Sequence, residues 1–462
     1  MSAEVGDAFV RIASRYFEGS RAPGRAVSTR LSAEELFHLF DHPFGATGDD
    51  IPEVLARVER DVVQNSNWLY HPRYMGHQVS APRPAAAWTD LIIGALNQSL
   101  AVQEMSPALT LVEDHLIRWF CGLAGFRDGT GTLTSGGTEA TFTALLAARA
   151  ACLPQAWTEG VTGQLPVVLC GEHAHYAVTR AVAELGLGLK RVIAVRSAHH
   201  RMDVRDLADR LAEQKQSGTP VMAVVATAGS TPTGSFDDLQ AIADLCDEHG
   251  VWLHVDGAHG ASALLSDKHR KSVAGIERAR SLAWDPHKMM LMPLSVGVLL
   301  MRDARDLDAA FQQKAPYLFH GGGDRRSWDQ GGRSFQCSRR ADALKLWVAV
   351  RRYGTAAFAL LYEHFAEMTA YLHEILDAHP DFEPVHQPEC NILCFRYVRG
   401  QPEELDELNL KLRTVYNQQG TGWITTTVLE GRRVLRVTLI NPRLRREHLD
   451  DMVAELSELA RG

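Results

Sequence analysis

Asp285-Pro286-His287-Lys288 lies inside SLAWDPHKMMLMPLSVGVLLMR, a stretch from Ser281 to Arg302 that reads strand, turn, strand. A lysine held between two apolar strands hydrates poorly, which disfavours its ammonium and makes the nucleophilic free amine accessible. That is the chemistry of a Schiff-base lysine. An isolated His-Lys pair is more often an ordinary surface turn, so the weight falls on what else the chain supplies. Asp256 closes the run VWLHV and lies 32 residues before Lys288. A carboxylate there can sit against a heterocyclic nitrogen and keep it protonated, since an opposite charge at contact distance shifts a pKa by about 1–3 units.

Three further stretches bear on the same chemistry. Thr134-Ser135-Gly136-Gly137-Thr138-Glu139-Ala140 leads into a helical pattern. Its paired glycines allow close backbone approach, and a helix N-terminus offers free N–H groups to an anion. Alone, such a run is more often just a cap. Gly171-Glu172-His173-Ala174-His175-Tyr176 follows the run VVLC, so one of its histidines can lie over a flat ring. Ser230 follows VMAVVATAG and can donate to a phosphate or a ring oxygen. A phosphate cradle, a carboxylate for a pyridinium, a stacking imidazole and a Schiff-base lysine together specify pyridoxal 5′-phosphate. The combination is far more specific than any one member.

The elements that must position these residues alternate from Leu133 onward. Strands are expected at Val167–Cys170, Val192–Val195, Val221–Thr227, Val251–Val255, Ser281–Ala283 and Val296–Met301. Helical patterns lie between most of them, at Thr138–Leu153, Tyr176–Leu185, Val204–Gln214 and Asp237–His249. Short, nearly continuous apolar strands separated by helices indicate an α/β fold with a mostly parallel sheet sandwiched by helices. In such sheets ligands bind at the carboxyl ends of the strands. Residues 1–70 read as a helical segment with an amphipathic stripe of Phe9, Val10, Ile12, Ala13, Tyr16 and Phe17. The stripe must bury itself on the chain's own large domain or on a second subunit. Residues 71–335 form the large domain, entered through the proline-rich HPRYMGHQVSAPRP. The glycine-rich Lys314–Gly332 breaks the alternation and is expected to be a mobile loop. Residues 336–462 form a small α+β domain, with a long helical region near Arg340–His379 broken at Gly354.

Composition bounds the partners. The 462 residues are 45% hydrophobic and 23% charged, with a net charge of −8. Both signs are interspersed and no basic stripe appears, so neither nucleic acid nor a membrane surface is an expected partner. Seven cysteines without a CxxC pair suggest reduced thiols in the cytoplasm. No signal peptide is expected, and the apolar run Leu291–Met301 is about half a bilayer span, so it reads as core.

From about His71 to Pro442 the chain resembles the group II pyridoxal-phosphate-dependent amino-acid decarboxylases, of fold-type I architecture. HPRYMG, TSGGTEAT, AHY, VWLHVDGAHG, WDPHKMM, PYLF, QCSRR and LRVTLINP occur in the family's order. The resemblance implies a PLP-dependent carboxy-lyase that releases CO2 and an amine. It implies Lys288 as the lysine joined to the cofactor, with His287 beside it, Asp256 as pyridinium partner and Ala258 beneath the ring. His175, from the AHY segment, corresponds to the stacking histidine; His173 has no counterpart. Gly137, Thr138 and Ser230 correspond to the phosphate site, and Tyr317 to the loop tyrosine that helps protonate the substrate carbon. Arg436 corresponds to an arginine that contacts a substrate carboxylate, and His77 (or Gln78) is placed against the substrate. A homodimer with the site at its interface, wrapped by the N-terminal helices, is also implied.

Two departures stand out. Asp285 occupies a position where many relatives have asparagine near the phosphate, so either it points away or a nearby cation compensates. His259 replaces the usual aromatic residue. An acidic amino acid (glutamate, aspartate or cysteine sulfinate) is the expected substrate, with 2,4-diaminobutyrate or an aromatic amino acid as alternatives. Two other readings are a metal-dependent hydrolase using His254, Asp256 and His259, and a non-catalytic relative. The first leaves the TSGGTEA stretch unused, and no metal site is expected; the second is opposed by the retention of Lys288, Asp256, His175 and Tyr317.

Overall fold

The computed structural model describes residues 3–22, 24–313 and 328–461. They divide into two compact units, one comprising Pro82–Ala366 with Pro388–Cys390, the other Met1–Ala81, Glu367–Gln387 and Asn391–Gly462. The division falls within the helix Thr355–Asp377.

The larger unit is built on a seven-stranded sheet. Its strands are β1 (Thr130–Thr134), β2 (Val167–Gly171), β3 (Val192–Val195), β6 (Val221–Thr227), β7 (Trp252–Asp256), β8 (Ser281–Trp284) and β9 (Gly297–Met301). A small hairpin of β4 (Ser197–Ala198) and β5 (Arg201–Met202) lies apart from it. The order is β1-β9-β8-β7-β6-β2-β3. β8, β7, β6, β2 and β3 run parallel. β9 is antiparallel to both β8 and β1, so β1 again points the same way as the rest. The sheet is therefore mostly parallel, and the carboxyl ends of β1, β2, β6, β7 and β8 share one edge.

Local composition explains these strands. VMAVVAT in β6 is buried at every position but the first, as expected where helices cover both faces. The helix Gly137–Cys152, which follows β1, turns Ala140, Ala144 and Leu145 into a core shared with Val168, Leu299 and Met301. Small alanines let the helix approach the sheet closely, and each fully buried larger aliphatic contributes roughly 1.5–3 kcal/mol. β1 extends further toward the N-terminus than an alternation starting at Leu133 implies. Its TGTLT lacks the apolar run that marks the other strands, and Gly131 is required there because a Cβ would stand 2.2 Å from Leu299 O.

The smaller unit carries a four-stranded antiparallel sheet of β10 (Phe382–Pro384), β11 (Ile392–Tyr397), β12 (Thr425–Leu429) and β13 (Arg432–Thr438), in the order β10-β11-β13-β12. Helices Leu405–Gln419 and Arg446–Arg461 complete it around Phe395, Leu412, Tyr416, Leu435 and Met452. In the N-terminal helix Ala3–Gly19, Ile12 is buried and Tyr16 stacks on Trp68 at 4.9 Å, while Phe9 and Val10 are exposed.

Candidate active site

Lys288 is delivered by the turn that leaves β8. Asp285 N–H donates to Ala258 O (3.1 Å), and Lys288 N–H donates to Asp285 O (3.0 Å), closing the turn. The ammonium then reaches Asp285 Oδ2 at 3.1 Å. A nearby cation therefore accompanies the unexpected carboxylate, which is buried and faces the same space as Lys288. His287 Nδ1 accepts from Val296 N–H (3.1 Å), so the neutral ring carries its proton on Nε2, 3.4 Å from Asp285 Oδ2. Burial holds His287 below the ordinary histidine range, against the pull of Asp285.

Asp256 ends β7 in a buried position and accepts at Oδ1 from Ala258 N–H (3.2 Å). Burial pushes its carboxyl upward, and the Lys288 ammonium is the largest influence pulling it back. His175 stands just beyond β2. Its Nδ1 accepts from Ala177 N–H (3.2 Å), which leaves Nε2 as the protonated nitrogen of the neutral ring. Burial lowers its pKa, opposed by Asp256. Gly137, the first residue of the helix after β1, lies so near its neighbours that a Cβ would stand 2.8 Å from Ala258 Cβ and 3.2 Å from Asp285 Oδ2. Only glycine lets the helix start approach this closely.

These parts line one cavity of about 390 Å³. It brings together Gly137, Thr138, His175, Asp256, Ala258, His287 and Lys288, with His259 and Asp285 beside them. Ser230 does not line it. Its Oγ bonds Thr233 Oγ1 (2.9 Å) and accepts from Ser235 N–H (3.2 Å), and its neighbours Gly229 and Thr231 face the cavity instead. A tight turn in TAGSTPTG signals this: Gly229 has φ +83° and passes against Gly260. Tyr317 lies outside the described residues. His77 and Arg436 belong to the smaller unit, where Arg436 is buried and donates to Gly76 O (3.3 Å). Burial, then Arg436 and Arg413, lowers the pKa of His77.

The donor set suits a phosphorylated pyridine aldehyde: backbone N–H groups at a helix start, a buried carboxylate and a lysine. Comparison with known proteins decides the matter, because the pyridoxal-dependent decarboxylase conserved domain matches residues 34–398. The chain belongs to the pyridoxal-dependent decarboxylase family. It is 35% identical over 428 residues to the L-2,4-diaminobutyrate decarboxylase of Rhizobium meliloti, covering 91% of this chain and 84% of that protein. It is 33% identical over 444 residues to the cysteine sulfinic acid decarboxylase of Rattus norvegicus, covering 92% and 89%. The crystal structure of mouse CSAD superposes with a TM-score of 0.93 at 30% identity, over 98% of this chain and 97% of that one. This decarboxylase is thus a carboxy-lyase acting on amino acids with pyridoxal 5′-phosphate as its cofactor.

The metal-hydrolase reading fails on His254. Its ring is fully buried, with Nδ1 on Ser281 Oγ (2.9 Å) and Nε2 toward Thr141 Oγ1 (3.4 Å), and burial pushes its pKa down to about 3. It is a satisfied core residue.

Proposed function

We propose that this decarboxylase removes the α-carboxylate of an acidic L-amino acid, with glutamate, aspartate and cysteine sulfinate as candidates. What supports this reading is the buried Arg436, whose charge, with that of Arg413, reaches His77 and adds to burial in lowering its pKa. Such a surrounding attracts a side-chain acid and repels an amine. Resemblance to acidic amino acid decarboxylase GADL1 of Mus musculus (31% over 446 residues) supports it. The 35% identity to a diaminobutyrate decarboxylase supports a second reading, a diamino acid.

Bound pyridoxal phosphate supplies an electron sink for the carbon that loses CO2. We assign the surrounding tasks to this chain's residues. Lys288 is the residue that would hold the cofactor covalently. The N–H groups at Gly137 and Thr138 would hold the phosphate, with the turn at Ser230 as a further candidate donor. Asp256 would sustain a positive charge on the ring nitrogen, and His175 and Ala258, which line the same cavity, would border the ring. His287 buttresses the lysine turn. Arg436 and His77 receive the substrate's acid groups. Tyr317, which lies outside the described residues, is assigned the delivery of a proton to Cα.

Tyr317→Phe is expected to bind substrate with the wild-type spectral change yet release little amine. Amine production at the wild-type rate would remove this tyrosine from proton delivery. To test the substrate, CO2 release by purified enzyme is measured across the protein amino acids, cysteine sulfinate and 2,4-diaminobutyrate. An acidic substrate is expected to lead, and Arg436→Gln to raise its KM about tenfold or more, the scale of a lost charged hydrogen bond. Preference for diaminobutyrate overturns the acidic assignment.

We also propose a cytoplasmic homodimer with the site at its interface. All seven cysteines are free thiols, and exposed Phe9 and Val10 suit a helix that wraps a second copy. Among the described residues, no helix is long and apolar enough to cross a membrane.

A further inference from the structure

Asp285 is the acidic group of the cavity left without a task. Its side chain is 3% exposed, with Oδ2 3.1 Å from Lys288 Nζ and 3.4 Å from His287 Nε2. Its Oδ1 is buried with no hydrogen-bond partner. The carboxylate also lies against the helix start: a Cβ on Gly137 would be 3.2 Å from Oδ2. It therefore lies beside the helix start, the kind of place where an anion would be held.

The local charge balance is unfavourable for a phosphate. Among the described residues lining the cavity, Lys288 is the single lysine or arginine, and it faces two carboxylates, Asp256 and Asp285. The histidines that face Asp285, His287 beside it and His175 across the cavity, are both held toward neutrality, chiefly by burial. Lys345 adds a further cationic influence on His287 but is itself paired with Asp342 at 2.8 Å. A phosphorylated ligand at the helix start meets the negative charge of Asp285 at short range. It also needs the lysine that Asp285 holds.

We propose that Asp285 limits cofactor retention, holding Lys288 in the cofactor-free protein and opposing the cofactor phosphate, so that the enzyme exchanges readily between loaded and cofactor-free forms. This rests on placing the phosphate at Gly137 and Thr138. The test titrates cofactor-free protein with pyridoxal 5′-phosphate, following visible absorbance, and measures release after dilution. Asp285→Asn is expected to bind about tenfold tighter or more and to release correspondingly slower, the scale of removing a like charge at short range. Asp285→Ser, which shares only the loss of charge, is expected to move the same way. Melting temperatures provide a second readout. The neutral variants should melt lower than wild type without cofactor, having lost the Lys288 pair, and gain more on loading; a purely structural role would lower both forms alike. Unchanged or weaker binding in both neutral variants overturns the proposal. Tight wild-type-like binding in Asp285→Asn together with loss of binding in Thr138→Pro would leave the phosphate site intact and sink the role of Asp285 alone.

Discussion

Lys288→Ala is expected to abolish the covalently bound cofactor chromophore and to lower turnover by about 10³-fold or more, the scale on which removal of an enzymatic nucleophile acts. The lysine is positioned by the Asp285 turn at the end of β8, and no other lysine lines the cavity among the described residues. Lys345 cannot take over. Its side chain is fully buried, and its ammonium is committed to Asp342 (2.8 Å), Asp90 (3.6 Å) and Leu294 O (3.5 Å). The helix start at Gly137 and the Asp256 carboxylate survive the substitution, so the variant should still take up pyridoxal phosphate without attaching it. Borohydride reduction followed by intact-mass measurement separates the two states. Wild-type protein gains the mass of the cofactor and the alanine variant gains none. Turnover at the wild-type rate in the variant would refute the assignment of Lys288.

The expected strands at Val192–Val195 and Val221–Thr227 have the observed bounds, those starting at Val167, Ser281 and Val296 differ by a residue at one end, and that at Val251–Val255 is displaced by one residue to Trp252–Asp256. Their legibility has a physical cause: a strand buried on both faces must be apolar at nearly every position, which leaves a continuous signal. β1 shows the opposite case. TGTLT carries little apolar signal and is fixed by pairing with β9, from Thr130 opposite Met301 to Thr134 opposite Gly297. The composition of the smaller unit depends on pairing in the same way. Val27 N–H donates to Gly420 O (2.8 Å) and Met75 N–H to Trp423 O (2.9 Å). Segments separated by hundreds of residues meet through such backbone bonds, which leave no mark in side-chain periodicity.

The site was legible where chemistry and topology coincide. Lys288 and His175 follow parallel strands and Asp256 ends one, so reading the strands placed them on one edge of the sheet. Ser230 marks the limit of that reasoning. The turn after β6 was correctly located, but which of three consecutive residues faces the cavity depends on the positive φ of Gly229 and on the Thr233 hydroxyl. Asp285 marks a different limit. Its spacing from Lys288 was visible, whereas the pairing that makes a second carboxylate tolerable there is a property of the folded turn.

Asp256→Asn is expected to lower kcat by about 10²–10⁴-fold, the range for a group that controls a proton in the reacting system, while leaving the fold intact. Asparagine preserves the side-chain shape, and its carbonyl oxygen can still accept from Ala258 N–H. What it removes is the negative charge. Asp256 is buried at the end of β7, and the surroundings resist a charge there, since burial pushes its carboxyl upward. A buried carboxylate is sustained only by an opposite charge close by. Lys288 supplies that charge in the cofactor-free protein, and a protonated ring nitrogen would supply it in the loaded enzyme. The amide would not hold a ring proton in place, so the electron withdrawal that the cofactor would supply should weaken without loss of the cofactor itself. The distinguishing result is a split between parameters: kcat collapses, while the chromophore forms and substrate still perturbs it. An unchanged kcat would mean that the carboxylate serves only to fix the Ala258 turn.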